Sequence, residues 1–569
     1  MADANAPKKK MDVIQQILLE SKAYSNVEMM ESLVDSEKSL ALLPIQPLYM
    51  AIKNLTAEQL APHLIKFSPE QRTRFLDLDL WFKDTLDVDS FSFWVNTYLK
   101  TKSLPLLKEF TQSSEFCIYL KGVFNIWTFD VEDPQYPDHD NYFLTDDNLL
   151  LFEFHEGYEN ADEVRALIRA LYGELGVENA YTYLFKITTD SFLIMQEEEY
   201  QAKNYRLAEV GFVDYFDALK MDSYFPSLEV MDHYIKNYET RTPNIEGLTI
   251  GQSLHNASLT AFKAEESFRA ELENITDGKR KDFLHFNFIQ LVNGTLVLNN
   301  ALKSGTLAMT RVGKNTCSLV ELGYSYIKEL VRIKESLFEK FDFVDFYRVG
   351  NTLIGLTQKR LKKGLRENSF DESAEFLGKN WSEFLDYSFD QPVKYVAPEG
   401  EFEKPVIVKS LKLLEHWTNR SKTVMGILPF ASTFAKTFSD LSKESKLMDH
   451  FYLNYSVDEI DFVAIILSSF ANYSMGNYEN IENTKMGLTI NEFKKFVSLV
   501  MCNEGKVDRS QKLVELLSKF TEQFGLKGVF QINEMIIEML VEQLEGYDYN
   551  ELDEADFKHV GGPIILNIS

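Results

Sequence analysis

The sequence predicts a mainly α-helical protein made of helical hairpins or bundles, solenoid-like in its N-terminal part, with one small β element near residues 123–154. Three observations carry this expectation. Thr56-Ala57-Glu58-Gln59, Ser68-Pro69-Glu70-Gln71 and Thr489-Ile490-Asn491-Glu492 each place Glu or Gln three residues after a hydroxyl. In that pattern side chain and backbone cap each other at a helix start. Apolar residues recur at helical spacing along much of the chain. β-Branched and aromatic residues gather at Val123–Val131, and Tyr142–Phe154 reads as two strands around an Asp146-Asp147-Asn148 turn.

The elements follow in order. Residues 1–20 are expected to be a flexible start and a leading amphipathic helix, Met11–Glu20. The first two capping boxes each open a helix of about three turns. Leu55 and Leu60 are placed as a staple for the first, and Pro69 stands at the first helical position of the second. Asp87 or Ser90 opens the next helix, at Phe91. These stacked short hairpins resemble the helical arrays of flagellar-switch and magnesium-transporter cytoplasmic domains. Helices resume at Asp162 with Val164, Leu167, Ile168 and Leu171 on one face, and continue to about Tyr238. Residues 249–365 read as long helices, with Ile327, Leu330, Val331, Leu337 and Phe338 near one face. Leu513, Leu516, Leu517, Phe520 and Phe524 form a stripe in the C-terminal part. Ile532, Met535, Ile536, Met539, Leu540 and Leu544 form another, and the tail Val560–Leu566 is expected to dock. The implied organisation is 1–20, an N-terminal helical domain 21–240 with an acidic β insert at 122–164, a central bundle 241–370, an irregular connection 371–410 and a C-terminal helical domain 411–569.

Composition narrows the class. The 569 residues hold 59 Lys and Arg against 87 Asp and Glu, a formal net charge of −28. Such a field repels phosphate backbones and anionic lipid, so no nucleic acid is expected as a partner. Phe462–Tyr478 is the longest uncharged stretch near apolar sequence, but Ser468, Ser469, Asn472 and Ser474 make it a poor span, so no membrane insertion is expected. Cys117, Cys317 and Cys502 are few, odd in number and far apart, which fits reduced thiols rather than a zinc site or disulfide framework. With no apolar signal-peptide core near Met1, the cytoplasm is the expected compartment.

No catalytic signature emerges. Gly313-Lys314 lacks the upstream glycine of a phosphate loop, and no G-x-S-x-G elbow occurs. His155-Glu156 has no second histidine at the spacing of a zinc protease. No catalytic or cofactor-binding residues are therefore predicted. The unusual segment is acidic. Between Lys121 and Arg165 there are twelve carboxylates and no Lys or Arg. Asp130, Glu132, Asp133, Asp138 and Asp140 would supply oxygen ligands to a divalent cation if the Pro134–Pro137 turn folds back. The alternative is a solvated loop with polar strand faces, Asp162 and Glu163 sitting at a helix N-terminus. Lys359, Arg360, Lys362, Lys363 and Arg366 offer phosphate contacts, or complement a helix end and an acidic surface of the same chain. The runs Phe91–Trp94 and Phe341–Tyr347 are expected to be core.

Four segments also carry a resemblance: Arg206–Ala218, the helix from Asn293-Gly294 to Gly305, the Asp390–Tyr395 turn followed by Ser410-Leu411, and Phe557–Gly562. In order and spacing they resemble an uncharacterised bacterial family, a domain of unknown function, over most of the chain from about Pro47. The resemblance implies a mainly helical bacterial protein and no transferable catalytic residue. The expected function is a non-catalytic cytoplasmic interaction or scaffolding protein with a protein partner. The alternative is a metal-dependent hydrolase or divalent-cation-binding protein using residues 122–164.

Overall fold

A computed structural model describes residues 45–53, 55–239, 266–332, 336–372, 374–396, 404–443, 460–477, 487–502, 505–549, 551–553, 556–558 and 564–566. The Met11–Glu20 helix and Val560–Pro563 lie outside them. The protein is mainly helical, with a few small antiparallel sheets. It divides into two compact units. One is drawn from Met1–Ser223, Lys236–Val320 and Val331–Arg348, the other from Tyr224–Ile235, Glu321–Leu330 and Val349–Ser569. Residues 241–370, expected as one central bundle, are shared between the two. Among the described residues no helix is long and apolar enough to cross a membrane.

The first unit opens with α1 (Ile45–Ile52), α2 (Ala57–Leu60) and α3 (Pro69–Asp79). Both expected capping boxes close: Thr56 and Ser68 each accept from the third backbone N–H, and Gln59 and Gln71 reach back to the cap N–H. The first helix is shorter than the three turns expected. After one α turn it tightens into a 3-10 stretch, Ala61–Lys66. Pro62 explains this, because its ring and missing N–H do not continue an α ladder. A two-stranded hairpin follows, β1 (Trp81–Phe82) and β2 (Thr85–Leu86), turning through Lys83 at φ 58°. No signal in the sequence reading anticipated it. Asp87 then caps α4 (Val88–Thr101), as one of the two expected openings. α5 (Leu104–Thr111) and α6 (Ser114–Val123) complete the first helical layer.

The β element stands where expected, as three antiparallel strands: β3 (Asn125–Thr128), β4 (Tyr142–Leu144) and β5 (Leu150–Glu153), with β5 in the centre. Asn148 takes a left-handed conformation in the predicted turn, φ 57°, which Asn tolerates better than most residues. α7 (Ala161–Leu175), α8 (Val177–Thr189), α9 (Phe192–Ala208) and α10 (Tyr215–Met221) follow. Asp162 and Glu163 occupy the first turn of α7, and Val164, Leu167, Ile168 and Leu171 are buried along it.

The core is aromatic, as the runs suggested. Phe91 stacks on Tyr119 at 4.0 Å between ring centroids, and Tyr98 on Phe110 at 4.2 Å. Asp79 is a buried anchor, accepting from Tyr49 Oη, Lys53 Nζ and Trp94 Nε1 at 2.8 Å each. Distant segments complete the unit. Asn293 in the Gly278–Leu298 helix donates to Gly211 O at 2.9 Å, and Lys303 Nζ donates to Asp79 O at 2.8 Å. A Cβ at Gly294 would lie 3.0 Å from Val213 Cγ2, so only glycine admits this approach without a shift. Arg280, from the same helix, donates to Phe338 O and Phe341 O. The expected stripe through Ile327 to Phe338 is interrupted, since its helix ends at Val331 and Leu337–Glu339 is a separate 3-10 turn.

In the second unit the third capping box closes at Thr489, with Glu492 returning to the Thr489 N–H. Leu513, Leu517, Phe520 and Phe524 are buried, as is the whole Ile532–Leu544 stripe. Phe470 of the Phe462–Ser474 helix meets Phe496 and Phe520. The tail docks where described: Leu488 N–H donates to Ile565 O, and Ile565 N–H to Ser468 Oγ. Residues 371–410, expected as an irregular connection, instead carry a 3-10 turn, Glu375–Leu377, and an α-helix, Lys379–Phe389, that buries Trp381, Phe384 and Leu385, followed by a short antiparallel pair, Lys394–Tyr395 with Val406–Ile407.

Candidate functional site

The most unusual chemistry in the first unit lies inside it, where α3, α6 and α9 each bury a carboxylate. Asp77, Glu115 and Glu199 are 2%, 3% and 8% exposed. They form the one group of three or more ligand-type side chains, among the described residues, whose oxygens all lie within 4.8 Å of one another. Arg206 sits among them. Its Nε donates to Asp77 Oδ2 at 3.0 Å, and its Nη2 to Asp77 Oδ1 and Glu199 Oε1. Glu115 Oε1 lies 3.6 Å from the same Nη2 and has no hydrogen-bond partner. Arg74, one turn before Asp77, flanks it at 3.7 Å and donates to Glu209 at 2.9 Å.

Helix geometry explains the convergence. Glu199, Lys203 and Arg206 are spaced by four and three residues, so α9 carries them on one face. Lys203 is 5% exposed, with its Nζ 4.3 Å from the Tyr200 ring centroid and 4.8 Å from that of Trp81. Trp81 belongs to β1, so the hairpin's inward residue covers the lysine.

Burial pushes the Glu115 carboxyl up to about 8, and the neighbouring Glu199 and Asp77 charges push the same way. Burial lowers the Lys203 ammonium to about 8, with Asp77 opposing. Burial raises Asp77 as well, against the pull of Arg206. Burial also works against the Arg206 charge, but the bonds to Asp77 and Glu199 more than offset it and hold the guanidinium above its usual value. The surroundings of Glu115 therefore favour its protonated form. Arg206 bonds both Asp77 and Glu199, and Asp77 also attracts Lys203. The guanidinium fills the place a cation would take, so a divalent ion would first have to displace Arg206.

The acidic residues singled out in the sequence lie elsewhere. Asp130, Glu132, Asp133, Asp138 and Asp140 are all exposed on the loop between β3 and β4. Asp130 accepts from the backbone N–H groups of Glu132 and Asp133, closing a local turn. The five are not brought together as a group of three within 4.8 Å. Their neighbours serve the fold: Asp147 accepts from Thr145 Oγ1 and Tyr172 Oη, and Asp146 pairs with Arg169. Thermal melts with and without millimolar calcium at fixed ionic strength are expected to respond equally in the wild type and in an Asp138→Asn/Asp140→Asn variant. A rise seen only in the wild type would establish a calcium site on this loop. The basic run lies in the last turns of the Phe343–Glu367 helix, where Lys362 pairs with Glu372 at 2.9 Å and Leu361 and Leu365 are buried. Gly313-Lys314 is helical, within Thr306–Val331, and makes no phosphate loop.

The buried cluster was missed because a charged residue is ordinarily read as solvated. The available signal was α9 itself, Phe-Leu-Ile-Met-Gln-Glu-Glu-Glu-Tyr-Gln-Ala-Lys-Asn-Tyr-Arg-Leu-Ala. Its apolar residues crowd one end, and no apolar stripe runs its length. The helix is inverted: Glu199 and Lys203 are buried while Leu193 is 73% and Ile194 59% exposed.

The family model described as a family of unknown function, DUF6178, matches residues 5–561. The chain belongs to this family. Apart from residues 1–4, the first unit, with its charge cluster and β1–β2 hairpin, thus falls inside the DUF6178 match. No curated protein and no solved structure matches the chain.

Proposed function

We propose that the protein is a non-catalytic interaction or scaffolding protein of the bacterial cytoplasm. The observation that carries this reading is the inverted helix α9. Leu193, Ile194 and Tyr205, the last 72% exposed, face outward, while charged side chains of the same helix are sealed inside. Isolated exposed apolar residues such as Tyr205 are normal, but Leu193 and Ile194 are adjacent in the chain, and contiguous apolar patches mark contact sites. Phe82 on the hairpin and Phe216 and Leu219 on α10 are exposed as well, at 59%, 46% and 51%. The acidic net charge favours a protein partner over nucleic acid. Cys117, Cys317 and Cys502 are thiols rather than disulfides, which suits a reducing compartment.

The test is crosslinking and affinity capture of the full-length protein from its native cells, compared with an Ile194→Ser/Phe216→Ser variant. A partner protein recovered reproducibly by the wild type and lost by the variant is expected. Failure to recover any reproducible partner would count against the reading.

A further inference from the structure

The three-stranded sheet of the first unit leaves one strand edge open. We propose that the outer edge of β3 takes an extended basic segment of a partner protein, which joins the sheet as an added strand and sets its Lys and Arg side chains against Trp127 and the neighbouring carboxylates. This surface involves none of the α9 residues named above, and the inference goes beyond that reading.

The ladder determines which backbone groups are free. β5 lies between β3 and β4, so β3 has a strand on one side only. Phe129 N–H donates to Leu149 O at 2.8 Å, continuing the register that pairs Asn125 with Glu153 and Trp127 with Leu151. Antiparallel bonds alternate along a strand, so Asn125 and Trp127 turn their backbone groups to β5, and Ile126 and Thr128 turn theirs outward. The β4 side agrees: Thr145 N–H donates to Leu150 O and Phe154 N–H to Asn141 O, which leaves Leu149, Leu151 and Glu153 for β3. Among the described residues, no backbone hydrogen bond reaches Ile126 or Thr128 from outside the sheet, although α8 approaches β3. The opposite edge is partly closed, since the outward N–H of Tyr142 on β4 donates to Asp140 O at 3.0 Å.

The free groups select an extended backbone. A row of outward N–H and C=O groups pairs with another strand, whereas a helix has its own groups bonded internally. β3 carries no Lys or Pro, two common guards of an exposed edge. Side chains select the sign of the charge. Trp127, 45% exposed, holds the position where side chains of an added strand come closest, and its ring attracts a cation. Glu153 stands across from Asn125 on the same face as Trp127. Asp130, Glu132 and Asp133 are exposed just past the end of the strand. No Lys or Arg lies between Lys121 and Arg165 to offset them. A second copy of the chain would set like charges beside like at this edge, and an anionic segment is repelled for the same reason.

The test uses the full-length protein and a fluorescent peptide of alternating Arg and Val, read by anisotropy. Comparison peptides are an alternating Glu/Val sequence and the Arg/Val sequence with its backbone amides N-methylated. The Arg/Val peptide is expected to bind at least about tenfold more tightly than either. Thr128→Pro removes one outward N–H and no bond to β5, and is expected to weaken binding about tenfold. Asp130→Asn/Glu132→Gln/Asp133→Asn is expected to weaken binding and flatten its salt dependence. Hydrogen exchange resolved to single amides needs no substitution: the peptide should slow Ile126 and Thr128 and leave Trp127 and Phe129 unchanged. The Ile194→Ser/Phe216→Ser variant should bind the peptide as wild type does, so failure here and failure of the α9 reading are told apart. Equal binding of the N-methylated peptide would overturn the proposal, leaving charge attraction alone. So would unchanged exchange at Ile126 and Thr128, or a folded Thr128→Pro protein that binds as wild type does. Binding unaffected by the three neutralised carboxylates would overturn the basic character of the partner. A wild-type dimer that Thr128→Pro abolishes would overturn the proposal by assigning the edge to a second copy.

Discussion

Replacing Arg206 by Ala should cost the first unit on the order of 3–5 kcal/mol, the effect of removing one partner from a buried ion pair. The guanidinium alone bonds both Asp77 and Glu199, and Asp77 is 2% exposed. Its removal would strand two carboxylates in a low-dielectric interior with Arg74 as the nearest remaining guanidinium. Urea unfolding of wild type and variant measures the loss. Adding Asp77→Asn to Arg206→Ala should cost much less than the sum of the single changes, because the residues share one network. A loss below about 1 kcal/mol for Arg206→Ala, typical of exposed pairs, would mean that solvent reaches the cluster.

The second large effect is a pH dependence with a change of sign near pH 8. Glu115 ionises near 4.5 in an unfolded chain and at about 8 in the folded protein. Between those values the folded state keeps a proton that the unfolded state has released. Stability therefore falls as pH rises through this window and levels off above it. Lys203 behaves oppositely: folded, it loses its proton near 8, whereas unfolded it holds the proton to about 10.5. From 8 upward the unfolded state binds the extra proton, so this term restores stability as pH rises. Asp77, Glu199 and Arg206 face Glu115, and Trp81 and Tyr200 face Lys203. Glu115→Gln should remove the fall below pH 8, gaining on the order of 4 kcal/mol at the top of that window. Lys203→Met should remove the recovery above it. Urea midpoints taken from pH 5 to 10 on the three proteins read both terms. A Glu115→Gln profile parallel to wild type would show that Glu115 is ionised throughout.

Much of the fold was legible because its signals are local. A hydroxyl at Thr56, Ser68 or Thr489 and an amide or carboxyl three residues on satisfy the same helix end whatever the rest of the chain does. The strands of residues 125–153 announced themselves by side-chain type and by a turn. The α2 helix fell short because Pro62 outweighed the box that starts it. The charge cluster was not legible because its logic is non-local. Asp77, Glu115 and Arg206 are tolerated inside only because each meets the others across 38, 91 and 129 positions of sequence. Sequence periodicity assigns charged residues to solvent one helix at a time and does not register such compensation. The acidic segment's density of carboxylates is obvious in the sequence; the loop leaves Asp130, Glu132, Asp133, Asp138 and Asp140 exposed, and no three of them gather within 4.8 Å of one another.

The way the Gly278–Leu298 helix enters the first unit has a consequence for biosynthesis. Asn293, Arg280 and Lys303 reach Gly211, the Phe338–Phe341 turn and Asp79, so the layer begun at Ile45 closes only with residues made much later. A nascent chain that has emerged as far as Ser223 has its hairpins but lacks the helix that seats α10. At roughly 5–20 residues per second, the remaining hundred or so residues take on the order of ten seconds to appear. Through that interval α10 and the neighbouring apolar surface are uncovered on the ribosome.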